Sequence, residues 1–152
     1  MSAFSDNDFK ASDYNSFRPT YDNKVFESIN AYHKGGRDLA VDIGCGSGQA
    51  SYPLTEYFKK VIGTDLSQPI VDAANSRISA DFEDRISFVR SPAETLSFLE
   101  DNSVDLVTAA QCIHWFDHPK FFNEIDRILK PNGTLAFWGY ADPVFGVPEA
   151  DE

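Results

Sequence analysis

The 152-residue sequence lacks the features that mark several large classes of protein. It has two cysteines, Cys45 and Cys112, with no Cys-x-x-Cys spacing and no pair of histidines nearby. That excludes a disulfide framework and a zinc knuckle, no metal site is expected, and both thiols read as small reduced hydrophobes. Cations are scarce: 13 Lys and Arg stand against 24 Asp and Glu, a formal charge of −11. Such a surface repels phosphate backbones, which excludes nucleic acid as the expected partner. No window approaches the ~18–20 apolar residues of a membrane span. The opening MSAFSDNDFK has no apolar signal core, so neither a membrane nor a secretory route is expected and the cytoplasm is the expected location. Asn132-Gly133-Thr134 fits the glycosylation pattern, but a tight Asn-Gly turn before a strand suits such a chain better.

What is present argues for one folded domain. Apolar residues make up 42% of the chain and 13 phenylalanines are spread along it, in a length that can bury a core unaided. In NKVFESINAY, Val25, Phe26, Ile29 and Tyr32 share one helical face, with Gly35 and Gly36 as the stop. LAVDI (39–43), VIGTD (61–65), ISFVR (86–90), VDLVTAA (104–110) and GTLAFWGY (133–140) read as strands. Between them QASYPLTEYF, QPIVDAANSRI, PAETLSFL and PKFFNEIDRILK read as helices. Pro53 requires a late start or a kink in the first, and Ser67 can cap the second because Pro69 follows at its beginning. In the last, Phe121, Phe122, Ile125, Ile128 and Leu129 share a face that Pro131-Asn132-Gly133 ends. Strands apolar enough to be covered on both sides, alternating with helices, predict an α/β fold with a doubly wound, mainly parallel sheet.

In such a sheet the ligand crevice lies beyond the carboxyl ends of the strands, next to the first one. VDIGCGSGQA falls there and puts glycines at 44, 46 and 48, where the chain can turn sharply and present backbone N–H groups to a ligand. A dinucleotide fingerprint counted from Gly44 would want glycine where Gln49 stands, and a P-loop would want Lys and Ser/Thr after the last glycine. Asp65 closes the second strand, 21 residues after Gly44, where a carboxylate can accept both ribose hydroxyls of an adenosine. The pair predicts an adenosine ligand without a pyrophosphate.

VDIGCGSG, VIGTDLS, DLVTAAQCIHWFD and LKPNGTLAFWGY, in this order and spacing, resemble the class I S-adenosylmethionine-dependent methyltransferases. SDYNSFRPTY, CIHWFD and FWGYADPVF resemble more narrowly the fungal trans-aconitate methyltransferase group. The resemblance covers residues 4 to about 145 and implies S-adenosyl-L-methionine as cofactor, with S-adenosyl-L-homocysteine as product. It implies that Gly44, Cys45 and Gly46 surround the methionine part, that Asp65 holds the ribose and that Leu66 lies against the adenine. Ala93 and Glu94 would flank the adenine edge, while Ala110 and Gln111 would face the methionine and the reaction centre. Pro92 stands where many relatives carry an aspartate that binds the adenine amino group, which shifts adenine recognition toward backbone groups.

Substrate roles fall to His114 and Trp115, whose other reading is a helix-capping histidine and a core tryptophan. They fall also to Tyr14 and Arg18, either a lid whose guanidinium clamps a carboxylate or a surface arm. No nucleophile, base and orienter constellation is visible, which suits alignment of a carboxylate with a sulfonium methyl. The resemblance therefore implies carboxyl O-methylation of a small-molecule acid. Alternatives are methylation of another small metabolite and a catalytically silent cofactor-binding or interaction module; Gln49 disfavours a nicotinamide dehydrogenase.

The expected layout is an arm and helix over 1–37 acting as a lid, a cofactor-binding methyltransferase domain over 38–145, and an acidic tail over 146–152. Members of the family continue past the fifth strand with a helix and an antiparallel strand pair, which this sequence does not show. A fragment or a short form is expected, its fifth strand an edge bearing Leu135, Phe137 and Trp138 through which a homodimer could form.

Overall fold

The structure is a computed structural model and describes residues 20–139. Tyr14, Arg18, most of the expected arm and the acidic tail lie outside the described residues.

Five strands, β1 (Leu39–Ile43), β2 (Lys60–Asp65), β3 (Ile86–Arg90), β4 (Val104–Ala110) and β5 (Leu129–Trp138), form one sheet in the order β3-β2-β1-β4-β5. Every neighbouring pair is parallel. The chain steps outward from β1 to β3, then returns to β4 on the other side of β1. The loops that leave β1 and β4 therefore part in opposite directions, and a crevice opens between them at their carboxyl ends.

The strands other than β3 alternate their side chains between two cores, and β3 faces only the first. Ala40, Val61, Ile86, Phe88 and Leu106 face one cluster, covered by α1 (Asn23–Tyr32), α2 (Ser51–Leu54) and α3 (Gln68–Ser76) through Phe26, Leu54, Val71 and Ala74. Val41, Ile43, Val104, Val107 and Ala109 face the other, covered by α4 (His118–Ile128) through Phe121, Ile125 and Ile128. Phe121 and Ile128 are wholly buried, each contributing about 1.5–3 kcal/mol of transfer free energy.

Four sequence expectations are corrected. PAETLSFL is not helical: Leu96 and Leu99 are buried as a helix would bury them, but their backbone is held by α4. The Leu96 N–H donates to Glu124 Oε1 (2.8 Å), and the Arg127 guanidinium donates to the carbonyls of Leu96 (3.0 Å) and Leu99 (2.8 Å). That supplies the partners which local helical bonds would otherwise provide. QASYPLTEYF has the late start that Pro53 requires, with Pro53 inside the first turn where its missing N–H costs nothing, but it is shorter than expected and helical only over Ser51–Leu54. Ser67 occupies the N-cap position of α3 but makes no side-chain cap bond. Pro131-Asn132-Gly133 does not end a helix at a distance from the strand. β5 begins at Leu129, and these residues bulge out of its pairing with β4, with Asn132 at φ 68°.

Two side chains expected on buried faces are exposed, Phe122 (43%) and Tyr32 (76%). A buried residue the sequence did not announce stands beside the latter. His33 bonds the Thr134 hydroxyl through Nδ1 (2.8 Å) and the Gly36 carbonyl through Nε2 (2.7 Å), tying the end of α1 to β5.

Candidate functional site at the carboxyl ends of the strands

The loop after β1 runs through three positive φ angles, 66° at Gly44, 56° at Gly46 and 96° at Gly48. These are costly for any residue with a Cβ. Close neighbours add to the constraint: a Cβ on Gly44 would sit 2.7 Å from Cys112 Sγ, and one on Gly48 would sit 3.0 Å from the Tyr52 ring. The loop is fixed from beneath by the Cys45 N–H, which donates to the Thr64 carbonyl (2.8 Å).

Asp65 ends β2 at the same rim. Its Oδ2 accepts from the Gly46 N–H (3.1 Å) and its Oδ1 from the Ser67 N–H (3.0 Å), so one carboxylate orders the glycine loop and the entry to α3. Leu66 next to it is 39% exposed, its carbonyl accepting from Arg90 Nε. Asp42, one residue inside β1, is 1% exposed and accepts from the hydroxyls of Ser51 (2.6 Å) and Thr108 (2.8 Å). It thereby joins β1, β4 and α2 beneath the loop. Asp42 has no place among the residues expected from sequence, although its position inside an apolar run signals burial with partners.

On the other side of the crevice Ala110 is buried and Gln111 adopts φ 63°. The Gln111 N–H is held by the Trp138 carbonyl (2.7 Å), while its side-chain Nε2 is buried without a hydrogen-bond partner. A non-glycine residue kept in this region costs on the order of 1–3 kcal/mol and points to a functional constraint. Cys112 turns back to donate its thiol to the Ile43 carbonyl (3.2 Å), filling the space beneath Gly44.

Buried polar atoms without partners gather at this end of the sheet. They are Gln49 Oε1 in the glycine loop, Thr64 Oγ1 and Ser67 Oγ at the end of β2, Gln111 Nε2 after β4, and Trp138 Nε1 at the end of β5. The one other such atom among the described residues, Arg37 Nη1, belongs to the opposite end. An unspent buried donor or acceptor costs about 1–3 kcal/mol, and several at one rim fit a polar ligand that would engage them. The expected ligand residues Gly44, Gly46, Asp65, Leu66 and Gln111 thus all lie at the carboxyl ends of the strands.

Ala93 is buried, and the Glu94 carboxylate accepts from the Asp117 N–H (2.9 Å) at the start of α4. Between Gln111 and that point lies a short 3-10 turn, Ile113–Trp115, in which the His114 and Trp115 rings pack 4.8 Å apart. Trp115 is 53% exposed and His114 is exposed too. The alternative reading of a core tryptophan is therefore wrong, because the turn lifts the ring out of the sheet layer. The ring nitrogen that braces this turn belongs to His118, whose Nε2 lies 2.8 Å from the Ile113 carbonyl.

A cavity of about 430 Å³ lies elsewhere, against α1 and α2, with Phe26, Tyr52, Tyr57 and Phe82 in its walls. It does not coincide with the crevice. Among the described residues no helix is long and apolar enough to cross a membrane.

A parallel sheet in this order, with a glycine loop after its first strand and a carboxylate after its second, defines a Rossmann-like nucleoside-binding domain. The chain belongs to the methyltransferase domain family, whose model matches residues 41–137. It is 39% identical over 144 residues to a Saccharomyces cerevisiae protein named as a probable S-adenosylmethionine-dependent methyltransferase, covering 93% of this chain and 50% of that one. An Aspergillus terreus methyltransferase is 34% identical over 143 residues, covering 89% of this chain and 43% of its own. The solved structure of a Methanococcus maripaludis protein superposes with a TM-score of 0.74 at 28% identity, covering 85% of this chain and 62% of that one. The fold is that of class I methyltransferases. The chain spans about half the length of the curated relatives it matches.

Proposed function

We propose that this chain carries the cofactor half of an S-adenosyl-L-methionine-dependent methyltransferase that acts on a small-molecule acid at its carboxylate. The observation that carries the cofactor is the rim itself: three glycines at positive φ, Asp65 beside them, and unpartnered polar atoms gathered on the same side of the sheet. When bound, S-adenosylmethionine supplies an electrophilic methyl group on a sulfonium. In this reading Gly44, Cys45 and Gly46 receive the methionine part, Asp65 accepts the ribose hydroxyls, and Leu66 offers an apolar face to the adenine. Ala110 and Gln111 flank the methyl group.

A carboxylate is already nucleophilic near neutral pH, so the protein's work is alignment and exclusion of water rather than proton removal. His114 and Trp115 stand beside the methyl end in this reading, and Arg18 and Tyr14 are the residues assigned to recognition of the acid. The acid specificity rests on the resemblance to the trans-aconitate group. Methylation of another small metabolite would use the same cofactor residues.

Calorimetric titration with S-adenosylhomocysteine tests the cofactor reading, with NADH as control. Saturable binding of the first alone is expected, and Gly46→Val abolishes it while the thermal midpoint shows a folded variant. A folded variant with normal affinity, or no binding by the parent chain, overturns it.

A further inference from the structure

We infer that Glu94 is a positioning residue that ties the adenine side of the crevice to the acceptor side, so that cofactor occupancy is felt by the His114–Trp115 pair. The inference rests on the cofactor reading above and revises the role expected for Glu94 from direct contact to transmission. Its basis is one bond across 23 residues: Glu94 Oε1 accepts the Asp117 N–H at 2.9 Å.

Asp117 is the hinge point of the acceptor segment. Its Oδ1 accepts from the Lys120 N–H (3.4 Å) and its carbonyl receives the Phe121 N–H (2.8 Å), so it opens α4. It also directly follows Phe116, which leaves the 3-10 turn and packs on Phe121 with ring centroids 5.0 Å apart. At the segment's other end the Cys112 thiol reaches the Ile43 carbonyl, beneath the glycine loop. The polar tethers from Cys112 to Asp117 thus run to three elements: the end of β1 through Cys112, the loop after β3 through Asp117, and α4 through His118 Nε2, 2.8 Å from the Ile113 carbonyl. Between them the exposed rings of His114 and Trp115 are carried on a single turn.

The loop that bears Glu94 is itself joined to the ribose side, because the Ser91 N–H donates to the Asp65 carbonyl (3.0 Å). It is packed by Ala93, Leu96 and Leu99, which are buried. A ligand that settles against Asp65 and this loop therefore has a short covalent and hydrogen-bonded path to Asp117. Glu94 can make the link with either of two carboxylate oxygens. A glutamine retains an acceptor oxygen and an alanine retains none.

Trp115 is the natural reporter, since the chain has only two tryptophans and a parallel Trp115→Phe series supplies the Trp138 signal to be subtracted. After that subtraction, acrylamide quenching of Trp115 is expected to rise about twofold in Glu94→Ala and to return to the parent value in Glu94→Gln. Titration with S-adenosylhomocysteine is expected to shift Trp115 emission in the parent and in Glu94→Gln. Glu94→Ala still binds within about threefold by calorimetry, but its emission does not respond.

A Glu94→Ala protein that keeps both the quenching and the emission response of the parent overturns the inference. So does one that loses affinity tenfold or more while each bound ligand still shifts Trp115, which would return Glu94 to direct contact. Failure of the parent to bind at all in calorimetry overturns the cofactor reading and the transmission with it. The quenching comparison, made without ligand, separates that result from failure of the tether.

Discussion

Two aspartates, Asp42 and Asp105, are each 1% exposed on neighbouring strands of one sheet, and the two ends of the sheet treat them differently. Asp105 is the second residue of β4 and is occupied by fixed partners. Its Oδ2 takes the N–H groups of Asp38 (2.9 Å) and Leu39 (3.0 Å), and the Lys130 ammonium lies 3.2 Å from Oδ1. Asp42, toward the carboxyl end of β1, is held by two side-chain hydroxyls that themselves belong to elements around the crevice. Beyond it Asp65 takes two backbone amides of the rim, and buried polar atoms remain without partners. One end of the sheet has spent its hydrogen-bonding capacity on folding almost throughout, Arg37 Nη1 being its one unpartnered buried atom among the described residues. The other has held some back, and that difference marks the ligand end without reference to any pocket.

The contrast breaks if the two carboxylates can be exchanged in effect. Asp105→Ala leaves two amides and a lysine without their acceptor, and it is expected to lower the unfolding free energy by about 2–4 kcal/mol. Affinity of the folded protein for S-adenosylhomocysteine should stay within about twofold. Asp65→Ala is expected to weaken that binding by about 1.5–3 kcal/mol, the range for bonds to a charged group, which is roughly 10- to 150-fold. Its stability loss should be the smaller of the two. Urea unfolding and calorimetry on both variants check the pair; equal binding losses would mean that the two ends are not functionally distinct.

A smaller effect sharpens the same division through pH. Arg127 donates to Glu124 and holds its carboxyl below the usual 4.5, against the opposing effect of burial. Because the folded value is depressed, the stabilisation is present in full above about pH 4.5 and is lost as the pH falls through the folded value. Glu124→Gln is expected to cost about 1 kcal/mol at pH 7, since the guanidinium is partly exposed. The gap to the parent should narrow as the pH falls from 4.5 through the depressed folded value in urea titrations followed by circular dichroism. Affinity at the crevice should follow it only weakly, for the network holds Leu96 and Leu99 rather than Asp65 or the glycine loop.

This network also explains where the sequence was readable and where it was not. All five strands were legible because each contains a β-forming apolar run, and β1 and β4 are buried on both faces. The glycine loop and Asp65 were legible because their chemistry is local: a sharp turn, then a carboxylate one strand later. PAETLSFL misled because Leu96 and Leu99 have helical spacing, whereas their backbone partners come from Glu124 and Arg127, some 28 residues on. The Glu94 bond to Asp117 and the Asp42 bond to Thr108 were hidden for the same reason. A side chain that reaches across 23 or 66 residues leaves no periodic trace.

Gln111 allows the finest test of the division between the two ends. Its backbone is held at φ 63° by the Trp138 carbonyl, yet its buried Nε2 has no partner. If that donor is held back for a ligand, removing it should relieve the free protein and harm the complex. Gln111→Leu keeps a similar volume and the backbone bond, and is expected to raise the unfolding free energy by about 1 kcal/mol, the low end of the cost of an unsatisfied buried group. The same change should weaken S-adenosylhomocysteine by about 0.5–1.5 kcal/mol, the net worth of one hydrogen bond. Opposite signs in the two measurements are something a purely structural glutamine cannot produce. A variant that is less stable with unchanged affinity would show that Gln111 serves the fold, and that its strained backbone belongs to the packing of β4 against β5 rather than to the crevice.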